Sequence, residues 1–262
     1  MKRRSALGLL ATMVVLAGCI GPVTPFDGAQ SPSSEQEYPD GAGPDFLNFS
    51  TLNADNGSVE NSPRGYWESY VISYTAPPER PLVEGNYYIN STSGEIIGER
   101  WDDATVYING STYVFVQPAD SISEREREQL DSDDAFVYHE STDAYYRYDP
   151  RYGSVAPTNI GRHPTILEAY TWEATNTTTH HGVPVVTYRA TGRHTDTRAP
   201  PIVDGTLQLG VEDGVIYAFD ITVDGDERDY HYTYDVKPAP FPDHDWVDRA
   251  EAIAGENASS TG

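Results

Sequence analysis

The sequence predicts a mainly β protein (α+β class) built on a large antiparallel sheet with a few helices. The chain has 19 tyrosines and many Val, Ile and Thr residues in short runs between turn residues. Several runs alternate apolar and polar residues, the period of a strand with one buried face. Asn-Gly and Asp-Gly pairs separate neighbouring runs and are typical of antiparallel hairpins. No fixed-period repeat is visible, so residues 46–254 are predicted to form a single β-rich domain.

The predicted strands follow one another closely and suggest a meander. In the first half they span residues 66–75, 86–90, 95–101, 105–108, 112–117, 135–138 and 144–148. The alternation is clearest in the second half, over residues 183–190, 206–211, 215–223 and 230–236. Asp213-Gly214 and Asp224-Gly225 lie at turns there, so we expect the last strands to pair antiparallel in chain order.

Three helices are predicted. Ser121 and Glu124 have capping-box spacing ahead of a charged Arg-Glu run, which predicts a solvated helix over residues 123–130. Pro164 suits a first helical turn and predicts a second helix over residues 164–173. A third helix over residues 243–254 would be able to cap the sheet, with an apolar stripe of Trp246, Val247, Ala250, Ile253 and Ala254.

The first residues have the three parts of an export signal. Lys2, Arg3 and Arg4 form a basic start, and residues 6–17 carry no charge. That run is too short to cross a bilayer core of ~30 Å as a permanent helix. It ends in Leu16-Ala17-Gly18-Cys19, which resembles the lipobox of bacterial and archaeal lipoproteins. The interpretation is a signal peptide over residues 1–18, and the alternative is an ordinary signal with a chance cysteine.

Cys19 is the only cysteine of the chain. A lone thiol forms no internal disulfide, whereas lipid attachment gives it a use. We therefore expect a membrane-associated lipoprotein, anchored through a lipid on Cys19 at the extracellular face of the cell membrane. Residues 19–45 are rich in Gly, Pro and Ser and are predicted to be a flexible tether, and residues 255–262 a disordered tail.

The chain is strongly acidic, with 41 Asp and Glu residues against 17 Lys and Arg residues. Only Lys2 and Lys237 are lysines. Dense carboxylates repel one another, and concentrated salt screens that repulsion. This composition resembles that of haloarchaeal proteins, although a merely acidic mesophilic protein is the alternative. The charge argues against a nucleic-acid partner, because phosphate binding needs clustered Lys and Arg.

Six Asn-x-Ser/Thr triplets follow the signal and are candidate glycosylation sites of an exported protein. They begin at Asn48, Asn56, Asn90, Asn109, Asn176 and Asn257. Any single triplet is easily explained by chance, because the chain is rich in Asn, Ser and Thr. Only the agreement of all six triplets with an exported protein supports glycosylation.

No catalytic or cofactor motif is present, so the prediction is a protein that is not an enzyme and has neither cofactor nor metal. His180-His181 is the most tempting metal-ligand pair. Neighbours on a strand point to opposite faces, so a solvated turn before Gly182 is the favoured interpretation. The same holds for Asp243-His244-Asp245.

An aromatic run over residues 145–152 stands out. A tyrosine has an apolar ring and a polar tip, so a row of tyrosines is able to line a groove for an amphiphile or a glycan. The competing interpretation, which we favour, is that these rings pack the sheet. The ligand-lining candidates are Tyr145, Tyr146, Tyr148, Tyr217, Phe219, Tyr232 and Tyr234.

The order of these elements carries a resemblance, together with the segments Gly182-Val-Pro-Val-Val-Thr-Tyr-Arg-Ala-Thr-Gly192 and Gly214-Val-Ile-Tyr-Ala-Phe219. The chain resembles a family of haloarchaeal lipoproteins that are similar in layout to the LolA and LppX class of lipoprotein and lipid carriers. The resemblance spans about residues 46–236. It implies a strongly curved sheet, or half-barrel, whose hollow is covered by helices.

Three functions remain open at this point. The first is a non-enzymatic lipoprotein that binds a lipid or another amphiphile in the hollow of its sheet. The second is a structural or partner-binding envelope protein without a ligand, and the third is an extracellular hydrolase with an unfamiliar catalytic cluster. The shape and lining of the concave face would distinguish the first from the others.

Overall fold

A computed structural model describes residues 37–54, 66–76, 84–100, 105–109, 112–148, 164–225 and 227–258. Two short strands, β1 (Ala42–Gly43) and β2 (Phe46–Leu47), pair with each other. The main sheet contains β3 (Ser69–Thr75), β4 (Gly85–Asn90), β5 (Ile96–Arg100), β6 (Thr105–Asn109), β7 (Thr112–Pro118), β8 (Val137–His139), β9 (Ala144–Tyr148), β10 (Tyr170–His180), β11 (Val183–Arg193), β12 (Ile202–Gly210), β13 (Ile216–Val223) and β14 (Tyr230–Pro238). The helices are α1 (Phe49–Ala54), α2 (Glu124–Asp131), α3 (Pro164–Leu167) and α4 (Val247–Ala258).

Twelve of the described strands form one antiparallel sheet in the order β10-β11-β12-β13-β14-β3-β4-β5-β6-β7-β9-β8. Most neighbours in the chain are also neighbours in the sheet, as a meander requires. β14 pairs with β3, which joins the second half of the meander to the first. The predicted mainly β, antiparallel fold is confirmed.

The sheet is strongly curved and not closed. In a flat sheet four spacings of about 4.8 Å would hold β10 and β14 about 19 Å apart. Instead, the Nε2 atom of His180, at the end of β10, lies 2.6 Å from the carbonyl oxygen of Val236 in β14. The sheet therefore curls, and β10 and β8 remain as its two edges in the described part of the chain.

The concave face holds the larger core. Every second side chain of the long strands points into it, and the largest fully buried ones include Trp172, Tyr70, Tyr74, Tyr188 and Tyr217. Helices α1 and α3 and the β1–β2 hairpin cover this face. The helices are held there by the buried side chains of Phe49, Leu52 and Leu167. The Trp172 indole also donates a 3.0 Å hydrogen bond to the Leu167 carbonyl. The hairpin is held by a 3.1 Å hydrogen bond from the Tyr188 hydroxyl to the Gly43 carbonyl.

Helix α4 packs on the opposite face of β6, β7 and β9 and builds a second, smaller core. Trp246, Ala250, Ile253 and Ala254 of the predicted stripe are buried there, and Val247 packs beside them. They meet the side chains that the strands direct away from the concave face, such as Tyr107, Val114 and Tyr146. A helix that packs on the sheet is thus confirmed here, but its bounds differ from the predicted 243–254. It begins at Val247 and continues to Ala258, so residues 255–258 belong to a helix and not to a disordered tail. No described helix is long and apolar enough to cross a membrane.

The predicted helix over residues 164–173 is wrong in its second half. Helix α3 ends at Leu167, and β10 begins at Tyr170. Tyr170, Trp172 and Ala174 are buried on alternate positions of this strand. These side chains are buried on the concave face, and the Thr-rich residues that follow them favour a strand. Together these two effects outweigh the weak helical pattern.

Two other boundaries differ from expectation. The capping box of α2 uses Ser123 and Glu126, two residues beyond the expected Ser121 and Glu124, because Ser121 ends a turn of 3₁₀ helix. Contacts with the sheet also begin before residue 46, since the amide of Ala174 donates a 2.7 Å hydrogen bond to the Pro44 carbonyl. The Pro and Gly residues near 39–45 therefore form a hairpin that covers the core.

The buried tyrosines predict a loss of stability at high pH. Burial raises the pKa of Tyr170 from 10.0 to about 12 and raises the pKa values of Tyr188 and Tyr217 as well. The folded state then holds these hydroxyl protons more tightly than the unfolded state does. The buried tyrosines therefore stabilise the fold fully below pH 10, and this stabilisation is lost as the pH rises above 10. Thermal unfolding followed by circular dichroism should show a midpoint that falls as pH rises from 10 to 12. A thermal midpoint that stays constant between pH 10 and pH 12 would contradict this.

Candidate functional site

The seven ligand-lining candidates are divided between the two faces of the sheet. Tyr217, Phe219 and Tyr234 lie in the concave core with Tyr232 beside them, whereas Tyr146 and Tyr148 face α4. Tyr145 points to the face opposite Tyr146, and its hydroxyl donates a 2.7 Å hydrogen bond to Oδ1 of Asp131.

Burial separates these candidates further. Tyr145, Tyr146, Tyr217, Phe219 and Tyr234 are each at most 3% exposed, so protein atoms fill the space around them. A ligand beside them would have to displace packed side chains. Tyr148 and Tyr232 are half-buried and are accessible without such a rearrangement. The lining role of the seven residues stays a prediction.

At one end of the sheet the concave core gives way to half-buried apolar side chains. We call this set the apolar rim, and it consists of Ile166, Ala199, Ile202, Tyr230 and Tyr232. Ile202 pairs with Val223 of β13, which in turn pairs with Tyr230 of β14, so the rim follows a row across three strands. The hydroxyl of Tyr170 donates to the Pro200 carbonyl at 3.0 Å and holds the segment before β12 against β10.

The floor of the concave face beside the rim is made of small residues. A Cβ atom on Gly205 would stand 3.1 Å from Cβ of Ala190 and 2.9 Å from Cδ1 of Ile202, so only glycine fits there without a shift of its neighbours. Gly205 therefore allows Ile202 and Ala190 to pack closely against its backbone on the concave face. The sequence analysis missed Ile202 and Gly205, because it placed the start of this strand at residue 206. The Pro200-Pro201 pair was the available signal, since proline favours extended backbone in the residue before it.

A second concavity, the acidic groove, lies where the chain enters α4. It has a volume of about 470 Å³. Its lining residues are Glu99, Thr105, Pro118, Asp120, Thr142, Asp143, Asp243, His244, Asp245 and Trp246. The His244 ring stacks on Trp246 with a centroid distance of 5.1 Å. The Asp243-His244-Asp245 turn is therefore part of a concave surface.

Among the described residues, the acidic groove contains histidine and carboxylates without the hydrogen bonds of a hydrolytic centre. Nε2 of His244 lies 3.7 Å from Oε1 of Glu99, beyond hydrogen-bond distance, and has no hydrogen-bond partner among the described residues. A general base needs an orienting hydrogen bond and a nucleophile within reach. What the groove offers is a negative surface.

His180 and His181 converge, so the expectation that their rings point apart is wrong. Their ring centroids are 4.7 Å apart in a T-shaped arrangement. His181 has a φ of 47°, and this left-handed turn conformation interrupts the alternation of the strand. Asp235 of β14 lies beside them, with its Oδ1 3.5 Å from Nε2 of His180.

The predicted modification sites are only partly within the described residues. Asn48 and Asn176 are exposed, whereas Asn90 and Asn109 are half-buried, and the side chains of all four make hydrogen bonds within the chain. Asn56 and the side chain of Asn257 lie outside the described residues, as do the predicted signal peptide and Cys19. Lipidation and glycosylation stay predictions.

No protein-family model and no curated protein matches this chain. Among solved structures it is similar to the Mycobacterium tuberculosis lipoprotein LppX, with 7% identity and a TM-score of 0.36, over 73% of this chain and 96% of that one. It is also similar to a LolA superfamily protein from Nitrosomonas europaea, with 10% identity and a TM-score of 0.20, over 70% of this chain and 92% of that one.

Proposed function

We propose that this protein is a lipid-anchored lipoprotein on the extracellular face of the cell membrane, and that its curved sheet binds an amphiphile at the apolar rim. The observation that carries the proposal is the rim itself. At this end of the concave face the core continues into half-buried apolar side chains, where a solvated edge would ordinarily carry polar ones. Apolar surface of this kind gains free energy when a ligand covers it.

The chemistry of the rim suits a molecule with an apolar tail and a polar head. Ile202 and the rings of Tyr230 and Tyr232 offer apolar contact, and Ala190 extends that apolar surface on the neighbouring strand β11. Tyrosine hydroxyls at the same place are able to bond a polar group. The protein needs no catalytic residue for such a role.

Two arginines beside the rim favour an anionic head group. Arg193 ends β11 and donates a 2.7 Å hydrogen bond to the Ala199 carbonyl, and the guanidinium of Arg228 lies 6.0 Å from the ring centre of Tyr230. Basic residues number 17 in this chain against 41 acidic ones, so two arginines beside one apolar surface stand out. A guanidinium recognises carboxylate and phosphate groups well. We therefore infer that fatty acids or phospholipids are better ligands than neutral amphiphiles.

Substituting Ala190 with phenylalanine is expected to weaken binding of the amphiphile, because the larger ring would extend from the concave face into the space that the apolar tail would occupy. The measurement is covalent labelling by a photoreactive long-chain fatty acid, with the full chain held in lipid nanodiscs. Labelling of the peptides that contain Tyr230 and Ile202 should fall by about tenfold, the change that 1.4 kcal/mol of lost affinity produces.

Ala218→Phe is the matched control. Ala218 is also a half-buried alanine of a central strand, but its neighbour Phe219 points into the concave core, so Ala218 faces the other way. Its variant should label like the unmodified chain. Equal labelling of the Ala190→Phe variant, or a label on the acidic groove, would contradict the proposal. A specific protein neighbour in cross-linked cells, together with no label at the rim, would favour a partner-binding protein.

A further inference from the structure

We propose that His180, His181 and Asp235 form a binding site for a divalent transition-metal ion, with Zn²⁺ as the reference ion. Each of the three side chains offers one ligand atom, and all three atoms lie within 4.8 Å of one another. They come from the β10–β11 turn and from β14, which the curl of the sheet brings together. The site lies apart from the apolar rim and does not depend on amphiphile binding.

The turn that presents the two histidines is tight. His181 and Gly182 have φ angles of 47° and 91°, and they connect the paired residues His180 and Val183. Positive φ at both central residues is the geometry of a type I′ hairpin turn, which matches the twist of its strands. The turn thus directs the exposed ring of His181 toward His180 by its backbone conformation.

His180 is a well-positioned ligand. It is 8% exposed, and its ring lies 5.9 Å from that of Tyr217. Its Nε2 atom faces both the Val236 carbonyl oxygen at 2.6 Å and Oδ1 of Asp235 at 3.5 Å. A carbonyl oxygen only accepts, so Nε2 carries a proton in this arrangement. The metal ion takes the place of that proton, which leaves to solvent, and the ring shifts away from the carbonyl oxygen, because 2.6 Å is too short for both atoms to bind one ion.

The distances are close to those of a tetrahedral site. Bonds of about 2.0–2.1 Å place neighbouring ligand atoms about 3.3 Å apart. The pair formed by His180 and Asp235 is already near that spacing, and the exposed His181 ring is free to close the remaining gap by a change of rotamer. Two imidazole nitrogens with oxygen ligands suit Zn²⁺, Ni²⁺ and Cu²⁺ better than Mg²⁺ or Ca²⁺.

Lys237 sets the affinity of the site. Its Nζ atom lies 3.6 Å from Oδ2 of Asp235, the oxygen that does not face His180. The ammonium group orients the carboxylate but also repels a cation. Replacing Lys237 with glutamine is therefore expected to raise the affinity for Zn²⁺.

The chain contains a matched control. His231 and Asp220 form an exposed histidine–carboxylate pair at 2.8 Å, but no third metal-ligating side chain joins them in the described part of the chain. If any histidine–carboxylate pair were sufficient, both places would bind a metal ion. If three ligands are required, only the His180, His181 and Asp235 site will do so.

The test is calorimetric titration of the full chain in detergent with ZnCl₂, in excess Mg²⁺ that occupies the many surface carboxylates. We expect one Zn²⁺ per chain, and at least about tenfold weaker binding in His181→Asn and in Asp235→Asn, since even outer-shell changes cost that much. Asparagine tolerates positive φ, so His181→Asn preserves the turn. His231→Ala should bind Zn²⁺ like the unmodified chain.

Unchanged thermal midpoints in the metal-free variants will show that the fold is intact. Binding of Co²⁺ provides a second readout, because a tetrahedral site with nitrogen ligands gives visible absorption that the His181→Asn variant should lose. The proposal is overturned if the unmodified chain binds no Zn²⁺ under these conditions, or if His181→Asn binds it as tightly as the unmodified chain does.

Discussion

Replacing Cys19 with serine is expected to abolish the proposed lipid attachment, because a serine hydroxyl cannot form the thioether that a lipobox cysteine forms. Each acyl or isoprenoid CH₂ group contributes about 0.8 kcal/mol to membrane binding, so one chain of about 16 carbons contributes on the order of 10 kcal/mol. Two measurements check this: the mass of the amino-terminal peptide, and partition of the chain into a detergent phase. In the unmodified protein the peptide should begin at Cys19 and carry a hydrophobic adduct, which the variant lacks.

The control restores a cysteine outside the lipobox. A double variant that combines Cys19→Ser with Ser33→Cys contains the same number of thiols, but its cysteine does not follow Leu16-Ala17-Gly18. It should remain without an adduct and partition into water like the single variant. An adduct on the introduced cysteine, or firm membrane attachment of both variants without one, would rule out lipidation at the lipobox as the anchor.

Replacing Ala250 with aspartate is expected to detach α4 from the sheet or to unfold the domain. Ala250 is fully buried at 0% exposure in the smaller core, where its apolar neighbours include Val114 and Tyr146. A carboxylate at this place would be enclosed by apolar side chains, and an uncompensated buried charge costs about 3–5 kcal/mol. Chemical unfolding at fixed salt concentration should show a loss of that size in the free energy of unfolding.

Ala252→Asp is the matched control, because it makes the same chemical change two residues away on the exposed side of the same helix. Helix propensity and net charge change equally in both variants, whereas only Ala250→Asp buries the carboxylate. The control should alter the free energy of unfolding by less than about 0.5 kcal/mol. Equal stability of the two variants would mean that α4 does not pack on the sheet as described.

The strands of the second half were predictable because their signal is local. The buried Ile221 and Val223 alternate with exposed or half-buried chain neighbours in one strand. This alternation depends only on the two-residue repeat of extended backbone. The Asp213-Gly214 turn was predictable for the same reason, and Gly214 has a φ of 63°. The start of β10 was missed because Tyr170 fits a helix stripe and a strand face equally well, and only the sheet beside it decides between them.

The candidate sites were less predictable than the strands. The sequence pointed to Tyr232, which does belong to the apolar rim, but it did not separate Tyr232 from Tyr146 on the opposite face of the sheet. A tyrosine in an alternating strand shows which residues share its face within that strand. It does not show which face is concave or which one a helix will cover.

By itself, the sequence determined that this chain forms an antiparallel meander and which side chains of each strand share a face, because those properties follow from backbone periodicity and turn residues. Tertiary structure decided the pairing of β14 with β3, the face that α4 covers, and the curl that brings His180 to Asp235. Those features depend on the twist of many strands added together and on contacts between residues far apart in the chain. No local pattern encodes them.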